Sequence, residues 1–165
     1  MHVYLMRHGP ADDDSASGQD WDRALSGPGR KRVREVAAHL ATMLEAPVRI
    51  IASPRVRALQ TAEILAAALA PKGYDIAVEI SRALAGEGSL KRAVIGTVAT
   101  GGSASFWIGH EPDLSGLIFE LCREPVRMKK AMVAALQFDS LSATLDWVLE
   151  PKTLALIEQG GLAGS

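Results

Sequence analysis

Val3-Tyr4-Leu5-Met6-Arg7-His8-Gly9-Pro10 reads as a short buried strand, Val3 to Met6, that stops on residues suited to gripping a phosphate. The pattern recurs twice. The apolar run Val48 to Ala52 leads into Ser53 to Arg57, and Ser105 to Ile108 leads into Gly109 and His110. In open, mostly parallel α/β sheets the ligand crevice lies beyond the carboxyl ends of the strands, so residues far apart in sequence converge there. Two arginines and two histidines would then share one pocket.

The segments between these strand ends alternate in type. Ala11 to Asp22 is rich in Asp, Ser and Gly and reads as a surface loop. A helix starts at Ser26, the serine as cap and Pro28 in the first turn, with Val33, Val36, Ala37, Leu40 and Leu44 at helical spacing and Pro47 as its stop. Ser53 and Pro54 offer a cap and first-turn proline for a second helix to about Ala70. Ile76 to Ile80 reads as a third strand, then a turn at Gly86 and Gly88 and a helix from Ser89 to about Thr97. Glu111 and Pro112 resemble the first turn of a helix whose apolar side is Leu114, Leu117, Ile118 and Leu121. Met132 to Phe138 and Ala143 to Leu149 read as an antiparallel pair, and Pro151 opens a short last helix. The fold class implied is α/β: a three-layer sandwich with a mostly parallel central sheet, one antiparallel edge region and helices on both faces. One domain over residues 1–159 is expected, with a flexible tail at 160–165.

The bulk properties exclude several classes of function. In 165 residues, 18 basic and 19 acidic side chains nearly cancel, which argues against a general nucleic-acid or membrane-surface binder and makes any basic site local. No stretch of about 18 uninterrupted apolar residues occurs, so a soluble cytoplasmic protein is expected. Cys122 is the only cysteine; its apolar neighbours favour a buried, inert thiol. Asp12, Asp13 and Asp14 lack the ligand spacing of a calcium loop. His39 and the basic helix face Arg30, Lys31, Arg32 and Arg34 read as scaffold and solvated surface. The cluster Arg123, Arg127, Lys129 and Lys130 could dock an acidic partner protein, but reads more simply as solvated surface.

Phosphoryl transfer needs cationic hydrogen-bond donors around the equatorial oxygens and a nucleophile in line with the leaving group. Arg7 and Arg57 offer planar forks that stay charged at any working pH; Arg57, in the first turn of its helix, also sits at the positive end of the dipole. Gly9 lets the backbone pass close to a ligand. A histidine attacks phosphorus only through an unprotonated ring nitrogen, and flanking arginines disfavour the imidazolium. His8 is the expected nucleophile, giving a phosphohistidine intermediate, and His110 the expected donor to a non-bridging oxygen.

At these positions the sequence resembles the histidine phosphatase superfamily, the phosphoglycerate-mutase-like group. Leu5, Met6, Arg7, His8 and Gly9 match its signature strand end with the Arg-His-Gly motif. Leu25, Ser26 and Gly29 are similar to its helix start, Ser53, Pro54, Arg57, Ala58, Gln60 and Thr61 to its second arginine motif, and Gly109, His110 and Glu111 to its second histidine motif. The resemblance implies a hydrolase with His8 as the phosphorylated nucleophile, a phosphate pocket of Arg7, His8, Gly9, Arg57 and His110, and no metal or other cofactor. Compact size and the Asp146, Trp147 and Pro151 pattern are closest to SixA-type phosphohistidine phosphatases, which implies a phosphohistidine-bearing protein as substrate. Pro10 and Ala11 depart from the polar pair of sugar-phosphate mutases. Mutase-like relatives carry a glutamate general acid after the third strand, and Glu87 is the nearest candidate for it here. Two alternatives stay open: a small-molecule phosphomonoesterase of the same superfamily, which needs a working acid at Glu87, and a non-catalytic phosphate-binding regulator. The oligomeric state is not legible in the sequence.

Overall fold

The computed structural model describes residues 1–44, 48–72, 76–101 and 104–158. The proline stop at 47 and the tail at 160–165 lie outside the described residues. A seven-stranded mixed sheet runs in the order β3-β2-β4-β1-β5-β6-β7, with β1 at His2–Arg7, β2 at Val48–Ala52, β3 at Val78–Ile80, β4 at Ala104–Gly109, β5 at Val133–Asp139, β6 at Ser142–Leu149 and β7 at Leu156–Glu158. β1, β2, β3 and β4 are mutually parallel; β5, β6 and β7 add antiparallel to the β1 side.

Successive strand residues point to opposite faces, and the core divides accordingly. Tyr4 and Met6 of β1 join Phe106 and Ile108 of β4 on one face, under Val33, Val36, Ala37 and Leu40 of α1 (Gly27–Met43) and Ala58, Ala62 and Leu65 of α2 (Val56–Leu69). Val3 and Leu5 join Trp107 on the other face, under Leu90, Val94 and Val98 of α3 (Leu90–Ala99) and Leu114, Leu117 and Ile118 of α4 (Asp113–Cys122). Near-continuous apolar runs in β1 and β4 are the signature of strands covered on both sides. None of the helices described is long and apolar enough to cross a membrane.

Four local expectations need correction. Ser53 and Pro54 do not start α2: the Ser53 N–H still bonds to Ile108 O at 3.0 Å, extending the sheet, and the helix begins at Val56 with Arg55 as an extended cap. Likewise Glu111 and Pro112 precede α4, with Pro112 as its cap. Pro151 opens a turn rather than a helix. The Leu154 N–H closes on Glu150 O and the Glu150 N–H on Ala155 O, Leu154 takes φ 57°, and the chain turns back to pair β7 with β6. Cys122 is half-buried rather than buried, and desolvation pushes its thiol up to about 11.

The entry to α1 is held by close backbone approach. Ser26 caps as expected, its Oγ accepting from the Gly29 N–H at 3.0 Å, while its own N–H donates to Pro10 O at 3.1 Å. A Cβ on Gly29 would lie 1.9 Å from Pro10 O, whereas one on Gly27 would meet nothing within 4 Å. Gly29→Ala is therefore expected to destabilise by about 2 kcal/mol, through overpacking against immobile backbone, and Gly27→Ala by no more than about 0.5 kcal/mol in either direction. Urea unfolding of the two variants side by side checks the contrast; equal midpoints would refute it.

Candidate active site

Three neighbouring parallel strands, in the order β2-β4-β1, end on Ser53, His110 and His8. Their backbone ladder continues past the strands, with the His8 N–H on Gly109 O at 3.1 Å and the Ser53 N–H on Ile108 O. Register alone thus brings the two histidines together, their ring centroids 5.0 Å apart at an interplanar angle of 52°. Arg57 enters from the first turn of α2, and its Nε–H donates to His8 Nε2 at 3.3 Å. His8, Arg57 and His110 are each 5–6% exposed, buried polar side chains that lie against one another. Arg7 occupies the last position of β1, opposite Gly109, and its Nη1 donates to Met128 O at 3.0 Å.

The hydrogen bonds fix the tautomer of His8. A carbonyl only accepts, so the 2.7 Å contact between Nδ1 and Gly9 O places the proton on Nδ1, and Nε2, which accepts from Arg57, keeps its lone pair. Burial lowers the His8 pKa to about 4, with Arg57, Arg7 and Lys130 adding to it and the Gly9 carbonyl opposing. His110 falls to about 3, again chiefly by burial, then through His8, Arg57 and Arg55. Both rings are neutral at neutral pH, as the flanking arginines suggested, but desolvation is the larger cause.

These shifts have a definite sign. Each ring takes up a proton more readily unfolded, near 6.5, than folded, so stability declines as pH falls through 6.5 toward 4. The loss from His8 alone approaches roughly 3 kcal/mol. Asp20, lowered to about 2 by Arg23 and Arg57, works in the same direction at still lower pH. Denaturant unfolding at pH 7 and pH 4.5 is expected to give a clearly lower midpoint in acid for the native chain, and a smaller difference for His8→Asn.

Several contacts around the site were not legible in the sequence. Asp20, on a 3-10 turn at Asp20–Asp22, receives bonds from Arg57 Nη2 at 3.0 Å, Arg55 Nη1 at 3.1 Å and Arg23 Nη1 at 2.9 Å, and its carbonyl takes Arg57 Nη1 at 2.7 Å. Within an Asp-rich loop nothing distinguished it. Ser53 Oγ lies 2.8 Å from His110 Nε2 and accepts from the Arg55 N–H at 3.3 Å. Thr61 Oγ1 donates to Arg57 O and accepts from the Gly9 N–H, and Gln60 Oε1 accepts from the Leu25 N–H, so these two motif residues are scaffold.

Two sequence-predicted residues sit differently from expectation. The Gly9 N–H is committed to Thr61, and a Cβ on Gly9 would come 2.4 Å from Val33 Cγ2, so its lack of a side chain serves the approach of α1 and its carbonyl orients His8. Glu87 is exposed on its glycine turn, with both oxygens 3.2 Å from Arg82 Nη1, and no hydrogen bond or ion pair joins it to His8, Arg57 or His110 among the described residues. Its partner is Arg82 rather than a residue of the phosphate pocket.

The arrangement combines a neutral, desolvated imidazole nitrogen with cationic donors on either side, which suits attack on a phosphorus whose oxygens those donors hold. Comparison with known proteins points the same way. The model of the histidine phosphatase superfamily (branch 1) matches residues 3–85, a stretch containing Arg7, His8 and Arg57 and ending before His110. An uncharacterized protein of Picosynechococcus is 33% identical over 145 residues, covering 83% of this chain and 85% of the relative. Phosphohistidine phosphatase SixA of Escherichia coli is 30% identical over 161 residues, 94% of this chain and 98% of the relative. The structure of the protein histidine phosphatase SixA complexed with tungstate superposes with a TM-score of 0.82 at 28% identity, covering 94% of this chain and all of that one.

Proposed function

The chain belongs to the histidine phosphatase superfamily and is a phosphatase, and from that premise we propose that it removes phosphate from phosphohistidine on proteins, through a phosphorylated His8 and without a metal. The observation that supports this most directly is the lone pair held on His8 Nε2 by the Nδ1–H bond to Gly9 O. In the first step Nε2 forms a bond to phosphorus while the bond from phosphorus to the substrate imidazole breaks. In the second, water attacks the phosphorus of phospho-His8, the P–Nε2 bond breaks, and inorganic phosphate leaves.

Arg7 and Arg57 hold the equatorial oxygens. Arg7 Nε is buried with no hydrogen-bond partner among the described residues, and an acceptor oxygen would satisfy it. Ser53 Oγ, already accepting from the Arg55 N–H, donates to His110 Nε2, which leaves the likewise unpartnered Nδ1–H of His110 as that ring's donor to a phosphate oxygen. Tungstate, bound by the SixA of the solved structure, is a tetrahedral oxyanion of the kind such a pocket takes.

The choice of phosphohistidine over alkyl phosphates follows from Glu87. An alkoxide must be protonated as it leaves, whereas an imidazole protonated on its far nitrogen departs neutral. With Glu87 paired to Arg82 rather than to the site, esters would go without that acid. Purified protein tested in parallel, with a chelator present, on a phosphohistidine-bearing protein and on simple alkyl phosphates is expected to turn over the former at least tenfold faster. Brief incubation should leave a phosphate adduct on His8 by mass spectrometry under neutral conditions. Faster ester hydrolysis would overturn the substrate assignment, and absence of the adduct the mechanism.

A further inference from the structure

Beside the phosphate pocket, and sharing Arg7 with it, runs a groove of about 560 Å³ whose lining, among the described residues, holds six basic side chains, Arg7, Arg32, Arg127, Lys129, Lys130 and Lys152, against the single acid Glu150. We propose that this groove receives an acidic segment flanking the phosphorylated residue of a substrate protein, so that the enzyme reads charge beside the phosphate as well as the phosphate itself. The inference rests on the phosphohistidine phosphatase reading for the identity of the phosphate, but the groove is a separate observation.

Topology explains why these cations gather there. The loop leading into β5 crosses the carboxyl end of β1: the Arg7 N–H donates to Met132 O, the Ala131 N–H to Arg7 O, and Arg7 Nη1 to Met128 O. Arg127, Lys129 and Lys130 are thereby laid alongside the site, and the turn after β6 adds Lys152 from the other wall. In a chain of net charge −1 this is a strong local asymmetry. Part of it is already balanced, since Lys129 pairs with Glu150 at 2.9 Å and Arg32 with Glu35 at 3.3 Å. Arg127, Lys130 and Lys152 present exposed ends to the groove. Its field reaches the chemistry, because Lys130 acts on His8 and Arg127 on Arg7.

The shape favours a peptide over a small metabolite. Small-molecule pockets are lined mainly by apolar and aromatic groups with a few fixed polar ones, whereas among the described residues no aromatic side chain lines this groove, and its apolar part, Pro10, Pro28, Met128 and Pro151, is ringed by cations. Lysines and arginines on an open wall suit several carboxylates in tandem, each contact modest and screened by salt.

The test uses two labelled phosphohistidine peptides, identical except for four flanking positions that are Glu in one and Gln in the other. Fluorescence anisotropy with the full chain carrying His8→Ala, which cannot turn them over, reads binding alone. The Glu peptide is expected to bind about tenfold more tightly at low salt, and the preference to fall below twofold at 0.5 M salt and in the added Arg127→Gln, Lys130→Gln, Lys152→Gln combination, with circular dichroism confirming an unchanged fold. Equal binding of the two peptides, or a preference that survives the triple substitution, overturns the proposal. Hydrolysis of phosphoimidazole by the unaltered enzyme reports separately on the phosphatase reading: hydrolysis without a Glu preference removes the groove alone, and a Glu preference without hydrolysis leaves the groove standing and removes the assigned chemistry.

Discussion

His8→Ala is expected to lower kcat for phosphohistidine hydrolysis by about 10⁴-fold or more, with no phosphate adduct on the protein. Nothing else described at the site offers a comparable nucleophile. His110 is equally buried, but its Nε2 faces the Ser53 hydroxyl and its Nδ1 has no hydrogen-bond partner among the described residues. His8 alone combines a protonated Nδ1 anchored to a carbonyl with an Nε2 lone pair beside a guanidinium. The variant removes an imidazole from a polar site, not from the apolar core, so it should fold. Single-turnover kinetics with the purified variant provide the check, and activity within tenfold of the native enzyme would mean that another group attacks phosphorus.

Arg57→Ala is expected to reduce kcat/KM by about 10³-fold, and Arg57→Lys to recover no more than about tenfold of it. The asymmetry between the two replacements follows from how the guanidinium is used. Nε points to His8, Nη1 to the Asp20 carbonyl and Nη2 to the Asp20 carboxylate. A lysine restores charge but not that three-way fork. Asp20 thus occupies two Arg57 donors, one through its carbonyl and one through its carboxylate, and that carboxylate is shared with Arg23 and Arg55. Its release toward those two arginines on substrate binding would cost little at so exposed a position. Steady-state kinetics of the Ala and Lys variants on one phosphohistidine substrate decide the matter; equal activity would show that only the charge of Arg57 matters.

The lysine-rich stretch 127–130 shows where linear reading loses information. In sequence it follows α4 at a distance of more than a hundred residues from His8, and the economical reading of such a cluster is solvated surface. It is indeed exposed, yet the antiparallel pairing of β5 with β1 sets its start against the end of β1, turning three of its cations into one wall of the groove at Arg7. Glu87 is the opposite case. Its place after the third strand suggested an acid at the site, but the 3-10 turn at Arg82–Ala85 and the glycines on either side, at φ 88° and 98°, leave it exposed against Arg82.

The sequence by itself determined the α/β alternation, the strands that carry the site and the four side chains at their ends. Those depend on local signals: apolar runs of strand length, a serine cap with proline behind it, and polar residues where each run stops. Only the tertiary structure decided the distant partners of those side chains, because Asp20 meets Arg57 and Ser53 meets His110 through chain path and strand order, which no local pattern encodes. The last strand belongs to the same class: Leu156–Glu158 is too short to announce itself, and forms because the turn at Pro151 returns it to an open edge of β6 whose unpaired N–H and C=O groups it satisfies.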